Sequence, residues 1–182
     1  MTLTIFCGSR IGKNDIYKQE AQKLGILIAK NNFNLVYGGG SVGLMGIISK
    51  TAYENGANVV GIIPELLEKR EVISHEVTKL IVVNSMHERK AKMANKADVF
   101  IAFSGGIGTM EEIFEVWTWA QLGYHKKPVV FLNVNGYYDK LFSFLDFMVN
   151  DGFLYKKDRD LIKVFDNSEK MLDYLESLKL NQ

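Results

Sequence analysis

The chain has 182 residues, 47% of them hydrophobic and 24% charged, and 22 basic against 21 acidic residues leave a net charge of +1. That length fits one domain, residues 1–182, with a core of its own, and the near-neutral balance excludes a global pull toward nucleic acid or an acidic membrane surface. The single cysteine, Cys7, excludes an intrachain disulfide and suits a reducing compartment, while the few apolar residues before Gly8 fall short of a leader core or a membrane span; a cytoplasmic protein is expected.

Thr2–Phe6 reads as a first strand, ended by Cys7-Gly8-Ser9-Arg10. Asn14 or Asp15 can then cap a helix whose apolar Tyr17, Ala21, Leu24 and Ile28 recur at helical spacing. Asn34–Tyr37 is a second strand, and Gly38-Gly39-Gly40-Ser41-Val42-Gly43 leads into a helix through Ile48 that stops near Gly56. Asn58–Ile63 is a third strand closed by Pro64, after which Glu65–Val77 has weak periodicity and is expected to be a loop with one helical turn. Lys79–Val83 is a fourth strand, and Ser85 is placed to cap a helix over Met86–Lys96. A strand over Asp98–Phe103 runs into Ser104-Gly105-Gly106-Ile107-Gly108-Thr109 and a helix over 110–122. Pro128–Leu132, a helix over Tyr137–Asn150 stopped at Gly152, a short apolar segment at Leu161–Phe165 and a last helix from Ser168 complete the chain.

Short strands that are apolar throughout, separated by helices, define a doubly wound, Rossmann-like α/β class: a parallel sheet with helices on both faces. In such sheets ligands bind beyond the carboxyl ends of the strands, where strand order reverses. The turns at 7–10, 38–43 and 104–109 all leave strand ends, so they are expected on one rim. They offer Ser9, Gly39, Gly40 and the run Gly105, Gly106, Ile107, Gly108, Thr109, Met110, Glu111, Glu112 as candidates for contact with a substrate.

Glycines at 105, 106 and 108 permit close approach of a ligand, and the first turn of the helix presents unpaired N–H groups and the positive end of the dipole. That is an anion site, most naturally for phosphate. Glu112 is a carboxylate at the mouth of this site. It has a second reading, because Thr109-x-x-Glu112 also fits a capping box. Gly38-x-Gly40-x-x-Gly43 has the spacing of a dinucleotide fingerprint, with Glu65 about 20 residues on. It follows the second strand rather than the first, and a phosphate cradle or tight helix–strand packing explains the glycines equally. No Gly-Lys-Ser/Thr sequence is present for a Walker-type site. Met86-His87-Glu88-Arg89-Lys90-Ala91-Lys92 is either a solvated charged face or a set of cations placed against the helix dipole to meet an anion. A guanidinium does not deprotonate, so Arg89 would anchor and stabilise charge rather than carry a proton. His75, His87 and His125 are scattered without a cysteine partner, and no metal is expected. Cys7 has no evident base and is expected to pack. Trp117 and Trp119, two residues apart on a helix, diverge, leaving one free to face a partner subunit.

Together, Tyr37-Gly38-Gly39-Gly40-Ser41-Val42-Gly43-Leu44-Met45-Gly46, Met86-His87-Glu88-Arg89-Lys90 and Gly105-Gly106-Ile107-Gly108-Thr109-Met110-Glu111-Glu112 resemble the LOG ("Lonely Guy") family, the cytokinin riboside 5′-monophosphate phosphoribohydrolases. Gly61-Ile62-Ile63-Pro64 and Trp119-Ala120-Gln121-Leu122-Gly123 extend the resemblance, and Ser104 stands where the family's signature usually opens with proline. The resemblance implies hydrolysis of the N-glycosidic bond of a cytokinin riboside 5′-monophosphate or AMP, giving free base and ribose 5-phosphate. It implies Arg89 and Glu112 as the catalytic pair, Gly106–Thr109 as the phosphate cradle, and Glu71 and Lys90 as further substrate contacts. It also implies a homodimer and no cofactor, pyridoxal included. The alternative on the same scaffold is a non-catalytic nucleotide or molybdenum-cofactor carrier. It would have no need of a carboxylate beside bound phosphate.

Overall fold

The computed structural model describes residues 1–68 and 76–179, apart from the side chain of Glu68. Seven strands, β1 (Thr2–Phe6), β2 (Asn34–Tyr37), β3 (Val59–Pro64), β4 (Lys79–Val83), β5 (Val99–Ala102), β6 (Val129–Leu132) and β7 (Ile162–Phe165), form one sheet in the order β4-β3-β2-β1-β5-β6-β7. Every pairing is parallel. The connecting helices are α1 (Asp15–Lys30), α2 (Gly43–Glu54), α3 (Glu65–Glu68), α4 (Met86–Lys96), α5 (Ile107–Gln121), α6 (Asp139–Asn150), α7 (Lys156–Arg159) and α8 (Ser168–Lys179).

Alternation along each strand divides the core in two. Leu3, Ile5, Leu35 and Ile101 pack with Leu24 and Ile28 of α1, Ile48 of α2 and Leu175 of α8. Phe6, Val36, Phe100 and Phe131 point the other way, against Met93 of α4, Ile113 and Trp117 of α5 and Leu145 of α6. Both faces are therefore covered, which is why these strands read as continuous apolar runs rather than alternating ones. Strand order reverses at β1, which pairs with β2 on one side and β5 on the other. The chain turns away from the sheet in opposite directions after β1 and β5, and a crevice opens between their carboxyl ends.

Local chemistry sets the helix starts. Asn14 Oδ1 accepts from the Ile16 N–H at 3.1 Å to cap α1, and Ser85 Oγ accepts from the Glu88 N–H at 3.1 Å to cap α4. The Glu88 carboxylate in turn accepts from the Asn84 N–H at 2.9 Å, so the start of α4 is capped from both directions. Helix α5 begins at Ile107, three residues ahead of the expected start, because Gly106 serves as N-cap and Gly108 continues the helix. Residues 161–165, read only as an apolar segment, supply the edge strand β7 in register with β6. Helix α7 has no apolar period to announce it. Tertiary contact holds it, with the buried Trp117 indole N–H donating to the Asp158 carbonyl at 3.0 Å. Among the described residues no helix is long and apolar enough to cross a membrane.

Candidate active site

Gly8 ties the three turns together. Its N–H donates to the Ser104 carbonyl at 3.0 Å, and its carbonyl accepts from the Leu44 N–H at 3.0 Å and the Met45 N–H at 3.3 Å. The first of these bonds joins β1's turn to β5's; the other two close the start of α2. The 38–46 turn is then filled by its own neighbours. A Cβ on Gly38 would overlap Arg89 Nη2, one on Gly43 (φ +65°) would overlap the Ser9 backbone, and one on Gly46 would overlap the Ser41 carbonyl oxygen. Gly39 (φ +82°) lies against Ile63, and Gly40 is buried. Of the readings open from sequence, tight packing accounts for this turn, and Gly39 and Gly40 stand behind the crevice wall rather than lining it.

The 104–109 turn is open. Gly106 caps α5 without a side-chain bond, and the first intrahelical bond recorded there runs from the Met110 N–H to the Gly106 carbonyl at 3.2 Å. The N–H groups of Gly106, Ile107, Gly108 and Thr109 precede it, the set that every helix start leaves without an intrahelical partner. They border a cavity of about 270 Å³ whose walls also include Cys7, Ser9, Met45, Leu67, Arg89 and Glu112. The capping-box reading of Thr109 and Glu112 is overturned. With the helix starting at 107, Thr109 lies inside its first turn and Glu112 falls in the second, too far along to fold back on the N-terminus.

Glu112 meets Arg89 instead. Arg89 Nη1 lies 3.0 Å from Glu112 Oε1, with side chains only 10% and 11% exposed, and Arg89 Nε donates to the Ile62 carbonyl at 3.1 Å. The guanidinium is thus pinned by β3, seated over Gly38 and paired across the crevice. Burial holds the Glu112 carboxyl above its ordinary range; the Arg89 charge opposes that rise and the neighbouring Glu111 and Glu115 add to it. Cys7 also lines the cavity, but burial, helped by the Glu112 charge, pushes its thiol far up and keeps it protonated, so it packs rather than attacks.

The other expected contacts lie elsewhere. Lys90 Nζ, on a largely buried side chain, pairs with Glu111 Oε1 at 2.6 Å and Glu115 Oε1 at 3.0 Å across the α4–α5 seam. Met110 packs against the core beneath α5. Glu71 and His75 lie outside the described residues; Leu67 is the described residue of that segment that reaches the cavity. No group of three His, Cys, Asp or Glu side chains placed to hold a metal occurs among the described residues. Sequence reading missed Met45, Leu67 and the Ile62 carbonyl. Only Cys7, directly after β1, carried a positional signal.

The fold and this crevice define a Rossmann-like α/β protein with an open helix N-terminus and a buried carboxylate–guanidinium pair at the strand-order reversal. The family described as "Possible lysine decarboxylase" matches residues 45–175. The chain is 46% identical over 174 residues to the cytokinin riboside 5′-monophosphate phosphoribohydrolase LOG2 of Arabidopsis thaliana, covering 96% of this chain and 82% of that protein. LOG7 of the same plant is 45% identical, covering 96% and 80%. By these matches the chain belongs to the LOG family. Among solved structures, a molybdenum cofactor binding protein from Rippkaea orientalis superposes with a TM-score of 0.74 at 23% identity, over 97% of this chain and 96% of that one. The Moco carrier protein of Chlamydomonas reinhardtii gives 0.72 at 25% identity, over 100% and 98%.

Proposed function

We propose that this chain is a phosphoribohydrolase that hydrolyses the N-glycosidic bond of an adenine-type nucleoside 5′-monophosphate, a cytokinin riboside 5′-monophosphate or AMP. The buried Arg89–Glu112 pair beside an open helix N-terminus carries the reading. Breaking the bond from C1′ to the base nitrogen builds oxocarbenium character on the ribose. Glu112, raised but countered by Arg89, stabilises that charge and orients the water that adds its hydroxyl to C1′, while the water's proton goes to the departing base. Arg89 holds the carboxylate and draws the phosphate toward the same crevice, and the N–H groups of 106–109 bind phosphate oxygens. A decarboxylase proceeding through a lysine Schiff base fits poorly, since no lysine lines the cavity among the described residues.

The carrier alternative rests on structural neighbours at 25% identity or below, against 46% for the phosphoribohydrolases. Incubation with AMP and with isopentenyladenosine monophosphate, followed by chromatography, tests the proposal. Free base and ribose 5-phosphate are expected from at least one, and from neither with Glu112→Gln; nucleotide retained but never cleaved would establish the carrier. The proposal includes a cytoplasmic homodimer. The lone buried cysteine supports the compartment and exposed Phe144, Phe147 and Phe153 the dimer, which light scattering at micromolar concentration will count.

A further inference from the structure

The turn that opens α5 has little of its own to hold it: Gly105 and Gly106 have no side chain, and Ser104 makes no hydrogen bond through its Oγ. Glycine gives up more backbone freedom on folding than any other residue, yet this stretch leads straight into the open N–H groups of 106–109. Its order comes from outside. Three consecutive carbonyls are held by three different donors: Tyr138 Oη donates to the Phe103 carbonyl at 2.8 Å, the Gly8 N–H to the Ser104 carbonyl at 3.0 Å, and Tyr137 Oη to the Gly105 carbonyl at 2.5 Å. Two of these donors are adjacent residues of one segment. It leaves β6 through a single 3-10 turn, Val134–Gly136, in which Asn135 (φ +54°) and Gly136 (φ +68°) are both left-handed, an uncommon conformation for a residue with a side chain. Asn133 closes that turn, its Oδ1 accepting from the Tyr138 N–H at 2.7 Å and its Nδ2 donating to Asp139 Oδ1 at 2.7 Å. The reversal carries both tyrosines back over the end of β5, where Tyr137 meets the Tyr17 ring edge-on at 5.7 Å and Tyr138 meets Phe131 at 5.1 Å.

A trans peptide unit points its C=O and the N–H that follows in opposite directions. Fixing the Gly105 carbonyl therefore fixes the Gly106 N–H, the first of the open set. Tyr137 lines a second cavity, of about 400 Å³, that shares Gly8, Ser9 and Gly106 with the first but has neither Arg89 nor Glu112 in its walls. With its carbonyl held on that side, the Gly105–Gly106 peptide turns its N–H toward the side of Arg89 and Glu112. The turn is also backed by its own helix, since a Cβ on Gly105 would overlap Thr109 Oγ1. We propose that Tyr137 and Tyr138 are positioning residues for the reaction: through the Gly105 and Phe103 carbonyls they hold the turn in the orientation that presents its N–H groups to the nucleotide. This rests on the phosphoribohydrolase reading for the identity of the ligand. Neither tyrosine lines the first cavity, so both act through the backbone and not on the reacting atoms.

Tyr137→Phe is the first variant, because it keeps the ring and its contact with Tyr17 and removes only the hydroxyl, at a position 43% exposed. Hydrogen exchange at the Gly8 and Met110 amides, which donate to the Ser104 and Gly106 carbonyls, reads the turn without any ligand. Both should exchange roughly 5-fold faster, the worth of one net hydrogen bond, while the amides of β6 keep their wild-type rates. Calorimetric titration should show AMP bound roughly 5-fold more weakly and adenosine bound as before, since only the phosphate needs the N–H groups. KM for AMP should rise by the same factor, and the acid limb of kcat/KM should stay at its wild-type position, neither tyrosine being in contact with Glu112. Tyr138→Phe strips the buried Phe103 carbonyl of its donor; it should lower Tm and, titrated well below that Tm, weaken AMP while sparing adenosine. Wild-type exchange at both amides in Tyr137→Phe, or equal losses for AMP and adenosine, overturns the proposal. If wild type binds AMP without cleaving it, the hydrolase reading fails, while exchange and the AMP–adenosine comparison still decide whether the tyrosines hold the turn.

Discussion

The two glycine-rich turns, 38–43 and 104–108, both follow buried parallel strands and both open helices, yet only one of them is available to a ligand. In the first, the N–H groups of Leu44 and Met45 are taken by the Gly8 carbonyl, and the space left by absent side chains is filled by Arg89 and by the Ser9 and Ser41 backbones. In the second, a Cβ on Gly106 or Gly108 would meet nothing within 4 Å, and no side chain caps the helix. Glycine therefore does different work at different positions: at 38, 43 and 105 it lets protein approach protein, while at 106 and 108 it leaves the backbone open. The closed turn still serves the crevice, since Arg89 Nη2 occupies the space that a Cβ on Gly38 would take.

Substitution by alanine separates these roles. Gly46→Ala drives a methyl into the Ser41 carbonyl, and overpacking of that kind should cost about 3 kcal/mol, lowering Tm by roughly 6–12 °C while activity per folded molecule survives. A calorimetric scan with active-site titration reads both; an unchanged Tm would mean the turn is looser than its contacts. Gly38→Ala puts its methyl on Arg89 Nη2, and displacing a catalytic group by about 1 Å should lower kcat/KM roughly 100-fold with a much smaller loss of Tm. If that variant keeps its rate, Arg89 is not held where it acts.

The pair itself gives the next effect. Burial raises the Glu112 carboxyl and Arg89 restrains the rise, so the carboxylate needed for turnover should protonate above the ordinary carboxyl value of 4.5, and the acid limb of kcat/KM should lie there. Removing the cation with Arg89→Met should move that limb further up in whatever activity remains, because the charge that opposes the rise is gone. An acid limb that moves down would remove Glu112 from the profile. The same shift has a sign in stability: a folded-state carboxyl pKa above the unfolded one favours folding below the unfolded value, and that contribution is lost as pH rises through the folded value. The smallest effect belongs to the open turn. Gly108→Ala should leave Tm unchanged or raise it slightly, by up to about 1 kcal/mol of helix propensity, while KM for the nucleotide rises as the methyl crowds the phosphate. A fall in Tm would show that this turn, too, is packed.

Much of the fold was legible because its signals are local. Apolar runs gave β1 to β6, Asn14 and Ser85 marked the starts of α1 and α4, and the succession of strands and helices implied a parallel sheet. Helix α7 and the strand at Ile162–Phe165 were not legible as such, because what holds them is the Trp117 indole and an edge pairing, contacts distant in sequence. At the site, the residue types at 89, 105–109 and 112 announced an anion-binding turn with a cation and a carboxylate near it.

Spacing could not say which cation met which carboxylate. Arg89 and Lys90 are neighbours in sequence, as are Glu111 and Glu112, but consecutive helical residues point about 100° apart. The crossing of α4 and α5 therefore pairs Arg89 with Glu112 in the crevice and Lys90 with the exposed Glu111 beside it. Nor could spacing distinguish the open turn from the packed one. That depends on where the Gly8 carbonyl lands and on which helix N–H groups it satisfies. The sequence by itself determined the elements, the sheet class and the chemical inventory of the rim, since these follow from periodicity, capping and residue type. Only the tertiary structure decided which glycines are filled, which N–H groups stay free and which ion pair is buried, because each of these is settled by side chains and carbonyls brought together from strands far apart in the chain.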